Sequence, residues 1–193
     1  MTAVPMPSAA AWHHRDARQG FEVVYFHAVE EGYRIDGHTA AVENGQPWVV
    51  QYTILVDARW ATRRASVTGH WFTGTRKIDI EADGHGRWHI DGAYASALDG
   101  CLDVDLESSS MTNALPARRL ALRIGDQASA PAAYVRALDL SVDRLEQRYV
   151  RVTDEDGGQR YDYSAPAFDF GCRLVYDTAG LPLHYPGIAI RAF

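Results

Sequence analysis

From Trp48 to Val56 every second residue is large and apolar: Trp48, Val50, Tyr52, Ile54 and Val56 fall on one side of an extended chain, with Gln51, Thr53 and Asp57 on the other. A period of two is the mark of a strand with one buried face. The pattern recurs. Ile78 and Ile80 alternate with Asp79 and Glu81, Gly84 and Gly86 supply a turn, and Trp88 and Ile90 alternate with Arg87, His89 and Asp91, which predicts a hairpin. Turn residues at 156–158 and at 179–180 predict two more. Roughly ten strands in one small domain must curl or close, because open edges and a bare apolar face are both unstable in water. A roll or wide barrel is the expected architecture.

A chain of 193 residues can build a core without metals or disulfides. We therefore expect a flexible segment over residues 1–20 and one β domain over 21–193. Helical signals are sparse. Tyr134, Leu138, Val142, Leu145 and Tyr149 recur at helical spacing, yet Leu138, Leu140 and Val142 also alternate with Asp139, Ser141 and Asp143. That window fits both periods, with helix favoured in its first half.

Function classes narrow next. A net charge of -6 argues against a nucleic-acid partner. No apolar run approaches the roughly 20 residues of a membrane helix, and the first residues lack a secretory pattern. With Cys101 and Cys172 as the two cysteines, a reducing, cytoplasmic setting is expected. Cys172 alternates with Phe170, Leu174 and Tyr176, which reads as a small core residue. His13 with His14 and His85 with His89 lack a zinc spacing, and Gly-x-Ser-x-Gly, P-loop and HExxH patterns are absent, so neither metal nor cofactor is expected.

The segment Cys101 to Leu122 carries the densest chemistry. Leu102, Val104 and Leu106 share one strand face, so Asp103 and Asp105 project together from the other. Two such carboxylates could act as acid and base or hold a cation; the simpler reading pairs them with nearby arginines. After Pro116, Arg118 falls in phase with Leu120, Leu122 and Ile124 if a strand begins there. On that phase Arg118 is buried and engaged by a carboxylate or backbone carbonyls, since a bare buried guanidinium costs several kcal/mol.

Here the sequence resembles a bacterial family named for glycolipid binding and formerly called a domain of unknown function. GCLDVDL at 100–106 and TNALPARRL at 112–120 fit two of its patterns. YTILVDARWATRRASV at 52–67, GRWHIDG at 86–92 and YDTAGLPLHYPG at 176–187 resemble three more, so the likeness runs through most of the chain after Phe21. The resemblance implies a mainly β fold, a many-stranded antiparallel spiral β-roll wrapped around a single helix and similar in shape to bacterial lipoprotein carriers. It also implies a non-catalytic protein that holds a glycolipid-like or other amphipathic ligand. The expected ligand-binding residues are Arg118, Asp103, Asp105, Asn113, Tyr52, Trp60, Arg63, Trp88, Tyr149 and Tyr185, aromatic and polar groups that would grip a head group. The alternatives are an enzyme using Asp103 and Asp105 as acid and base, and a roll filled with side chains that serves a structural or interaction role.

Overall fold

A computed structural model describes residues 5–193. The strands are β1 (Ala9–His14), β2 (Gln19–Val29), β3 (Gly32–Glu43), β4 (Gln46–Asp57), β5 (Thr62–Trp71), β6 (Gly74–Ala82), β7 (Trp88–Ile90), β8 (Ala93–Tyr94) and β9 (Asp103–Leu106). One helix, α1 (Ala114–Leu120), follows a 3-10 turn at Met111–Asn113. Then come β10 (Gln127–Ser129), β11 (Ala132–Val135), β12 (Val142–Leu145), β13 (Arg148–Glu155), β14 (Gly158–Ala165), β15 (Phe170–Tyr176), β16 (Pro182–Tyr185) and β17 (Ala189–Arg191). Fourteen strands form one antiparallel sheet whose order starts at β10 and ends at β8, so the sheet is rolled and not closed. The remaining three form a small sheet, β12-β11-β9, in which β9 and β11 run parallel.

The long strands β2 to β6 follow the alternation in the sequence. Trp48, Val50, Tyr52, Ile54 and Val56 are all buried on β4, and Ile35 of β3 pairs with Ile54 in the same layer. The expected hairpins form between β6 and β7, β13 and β14, and β15 and β16. The first core cluster fills this half of the roll with Trp12, Trp88, Ile35, Ile54, Ile78 and Ile80, closed from within by Met111 and Leu115. A second cluster, rich in tyrosine, lies between α1 and β13–β16.

Four expectations change. The segment 1–20 is not wholly outside the domain, because β1 hydrogen-bonds between β2 and β17. The window 134–149 holds no helix: β11 ends at Val135, residues 136–141 turn, with Leu138 exposed and Leu140 buried, and β12 and the start of β13 follow, so neither period describes the whole window. Arg118 lies on α1 and not on a strand, Pro116 being tolerated because N–H groups of a helix's first turn need no intrahelical acceptor. Asp103 and Asp105 share one face of β9, as the alternation predicts, but Asp103 alone of the two pairs with an arginine, and both are buried. Paired in parallel with β11 in a small mixed sheet, β9 is covered on both faces: Val104 and Leu106 pack into the first core, while both carboxylates point the other way.

Candidate functional site

The tyrosine-rich end of the roll is assembled from strands far apart in sequence. β13 contributes Tyr149, β14 contributes Tyr161 and Tyr163, β15 Tyr176 and β16 Tyr185, all turned inward by strand alternation. Their rings meet edge to face or tilted, with centroids 5.1 Å apart for Tyr149–Tyr163, 5.3 Å for Tyr161–Tyr176 and 6.0 Å for Tyr163–Tyr185. Burial pushes these phenols upward, so they stay neutral and act as hydrogen-bonding groups.

Where this cluster meets β9 and the start of α1, a cavity of about 230 Å³ opens. Tyr134, Tyr163, Tyr185, Phe168 and Phe170 make its aromatic wall. Arg18, Asp105, Glu107, Ser109 and Asn113 make its polar side. Asp105 accepts from Thr112 Oγ1 at 2.8 Å and from Gln147 Nε2 at 2.5 Å. Arg18 donates to the Glu107 carbonyl at 2.8 Å and lies 3.7 Å from Glu43, which fixes the guanidinium at the rim. Asn113 receives the Tyr149 hydroxyl at 2.9 Å on its side chain and the Tyr176 hydroxyl at 3.2 Å on its carbonyl.

Beneath Ser109 lies a carboxylate that sequence reasoning missed. Glu22, fully buried, accepts from the Tyr52 hydroxyl at 2.7 Å, the Ser110 N–H at 2.7 Å and the Ser109 hydroxyl. The Tyr52 ring reaches Glu22 by crossing β3 at Gly37, where a Cβ would stand 2.0 Å from the ring. Glu22 therefore pins the chain that leads into α1. Its signal was present in the sequence, since Glu22 is in phase with Val24 and Phe26 on the buried face of β2.

A second, open groove of about 940 Å³ lies beside the other end of α1, lined by Trp60, Arg63, His85, Arg118 and Arg119 among others. Trp60 stacks on Tyr33 with centroids 4.9 Å apart, and the Arg118 guanidinium lies 4.1 Å above its ring.

A family model described as "Putative glycolipid-binding" matches residues 9–191. The chain belongs to this family. A crystal structure of a DUF1089 family protein from Pseudomonas aeruginosa is similar at 31% identity, covering 86% of this chain and 90% of that one with a TM-score of 0.75. A β-barrel-like protein of another domain of unknown function, DUF1849, from Brucella abortus shares the fold at 12% identity, 95% and 93% coverage and a TM-score of 0.51. No curated protein matches the chain.

The structure divides the ligand-binding residues expected from the sequence into separate places. Asp105, Asn113 and Tyr185 line the aromatic cavity, and Tyr149 stands behind it. Trp60, Arg63 and Arg118 line the other groove, with Asp103 buried beneath Arg119. Tyr52 and Trp88 are core residues that line neither space: both are buried, and Trp88 Nε1 is satisfied by the Cys101 carbonyl at 2.8 Å. Among the described residues no group of three or more His, Cys, Asp or Glu is placed to hold a metal ion, and no helix is long and apolar enough to cross a membrane.

The Asp105 carboxyl is pushed up to about 6 by burial, with the hydrogen bonds from Thr112 and Gln147 only partly offsetting that cost. Because the folded value exceeds the usual 3.8, the stabilisation is complete at low pH and is lost as pH rises from about 4 to about 6. Asp105→Asn removes the penalty while keeping an acceptor for Gln147 and a donor for Thr112, whose hydroxyl can turn to the Ser109 carbonyl 3.1 Å away. At pH 7 the variant is expected to be more stable than the wild type by about 3 kcal/mol, at ~1.4 kcal/mol per pKa unit, with the gap closing near pH 4. Thermal melts at the two pH values check this, and a lower melting temperature for the variant at pH 7 would show a net favourable carboxylate.

Proposed function

We propose that the protein binds an amphipathic, glycolipid-like ligand without transforming it, holding one ring of its head group in the aromatic cavity. One observation carries the reading: the cavity sets aromatic rings on one side against hydrogen-bonding groups on the other. A sugar ring presents matching surfaces, C–H groups on its faces and hydroxyls at its edge. The rings of Tyr163, Tyr185 and Phe170 offer the faces an apolar seat, and Arg18, Asp105, Ser109 and Asn113 offer the edge donors and acceptors. At about 230 Å³ the cavity is smaller than the ~300–1,000 Å³ that enclose drug-sized ligands, so a single ring fits and an acyl tail stays outside, toward half-exposed Phe168. The two-carboxylate enzyme reading has less support, because Asp103 is committed to Arg119 and Asp105 alone reaches the cavity.

Calorimetric titration with short-chain alkyl glycosides is expected to show binding that neither the free sugar nor the matching alcohol reproduces. Phe168→Ala, at the mouth, is expected to weaken it about tenfold, or ~1.4 kcal/mol, with the melting temperature unchanged. Failure of every alkyl glycoside to bind, or equal binding by the variant, would remove this reading. Mass spectrometry of organic extracts from the natively purified protein gives the ligand's identity directly.

A further inference from the structure

Among the described residues, six of the seven arginines that are not well exposed, Arg18, Arg119, Arg136, Arg151, Arg160 and Arg191, have a carboxylate oxygen within 4.0 Å. Arg118 is the seventh, and it has none. Its Nη1 donates to the Ala179 carbonyl, its Nε is buried without an acceptor, and its charge rests on the face of Trp60. Nearby acids are committed elsewhere: Asp177 to Arg191 at 3.0 Å and the Leu181 N–H at 2.9 Å, Asp57 to the N–H groups of Arg59 and Ala61.

The backbone has been shaped around this arrangement. Trp60 adopts φ of +66°, an uncommon conformation for a bulky residue, and so presents its indole under the guanidinium. On the opposite side Gly180 lies so close that a Cβ would stand 3.1 Å from Arg118 Cγ. A structural arginine would be expected to find an anion within the protein, as Arg119 does one residue later. Stabilising the helix's C-terminal carbonyls accounts for a cation in the last turn but not for a half-buried one that has no carboxylate partner and rests on an indole face.

We propose that Arg118, backed by Trp60, is an anion site that takes an oxyanion, the phosphate or carboxylate of a ligand, in the groove between the last turn of α1 and the turn at Asp57–Ala61. Arg63, 3.7 Å from Asp57, and Arg119, paired with Asp103, line the same groove with their charges already matched, and Glu30 and Glu31 line it too, so the anion site rests on Arg118 and not on them. The site is distinct from the aromatic cavity and does not depend on a sugar binding there.

The test is calorimetric titration of the full chain with inorganic phosphate and with octyl phosphate at about 0.15 M salt, where loose surface attraction is screened. Binding of free phosphate identifies a small-anion site; binding of octyl phosphate alone identifies a lipid head group; either supports the proposal. Arg118→Met keeps the stem and is expected to reduce affinity about tenfold while leaving the melting temperature of the unliganded protein unchanged or higher. Arg118→Lys, which keeps the charge and loses the planar fork, is expected to fall between. Absence of binding by both phosphates overturns the proposal, as does equal affinity in wild type and Arg118→Met. Trp fluorescence supplies a second readout, since an anion at Arg118 must perturb the Trp60 ring beneath it.

Discussion

Asp103→Asn is expected to cost about 3 to 5 kcal/mol of unfolding free energy, the usual consequence of leaving one member of a buried ion pair without its partner. Asp103 is 1% exposed, and Arg119 grips it with Nε on Oδ1 at 2.9 Å and Nη2 on Oδ2 at 2.6 Å. Burial pushes the Asp103 carboxyl up, with Arg119 offsetting only part of that cost, while the guanidinium is held above its ordinary value by the same carboxylate despite its own burial. Asn can accept only one of the two bonds and carries no charge. The pair also ties β9 to the last turn of α1, so its loss loosens the helix against the small sheet. Urea unfolding at pH 7 measures the effect. Arg119→Met in the Asp103→Asn background should recover part of the loss, because a double replacement leaves no orphaned charge. A loss below about 1 kcal/mol would mean the pair behaves like an exposed one. Asp105→Asn is expected to act in the opposite direction from a position two residues away, so neighbouring carboxylates on one strand face report opposite environments.

A strand is legible where its alternation is long and unbroken, since five apolar residues in phase leave little freedom in assigning the buried face. β4 is the clearest case, and the turns at Gly84–Gly86 and Gly157–Gly158 fixed their hairpins by backbone chemistry alone. Short strands lack that redundancy. β9 and β11 have four residues each, pair in parallel through a long connection, and are buried on both faces, so no alternation marks an outside. The helix was hidden because its seven residues span only two turns, and because the acceptor that anchors its entry, Glu22, lies 88 residues away from Ser110. The cavity was hidden for a related reason. Its aromatic wall combines Tyr134, Tyr163, Phe168 and Tyr185 from separate elements, and nothing local in the chain says that they meet. Asp105, Asn113 and Tyr185 could be named beforehand only through motifs; Arg18, Ser109 and Phe168 stand outside those motifs or in a serine-rich turn that invites a loop reading.

Glu22→Ala is expected to destabilise the protein by about 4 kcal/mol, since each buried donor left without an acceptor costs ~1–3 kcal/mol and relaxation recovers part of the sum. The donors are the hydroxyls of Tyr52 and Ser109 and the backbone N–H groups of Ser110 and Met111. The hydroxyls can rotate toward each other, being 3.1 Å apart, but the two N–H groups cannot. One opposing effect limits the loss: burial pushes the Glu22 carboxyl up more than its hydrogen bonds bring it down, so the ionised group is itself expensive to bury. Because its folded value is raised, its favourable contribution is greatest at low pH and declines as pH climbs through that value. Glu22→Gln separates the two effects, keeping one acceptor for the N–H groups while abolishing the charge, and should lose much less than Ala and flatten the pH dependence. Hydrogen exchange localises the damage: in Glu22→Ala, protection should fall first at Ser110, Met111 and along α1, ahead of the long strands β3 to β5. Uniform loss of protection across the sheet would instead make Glu22 a general core residue, with no special hold on the segment that shapes both the aromatic cavity and the Arg118 groove.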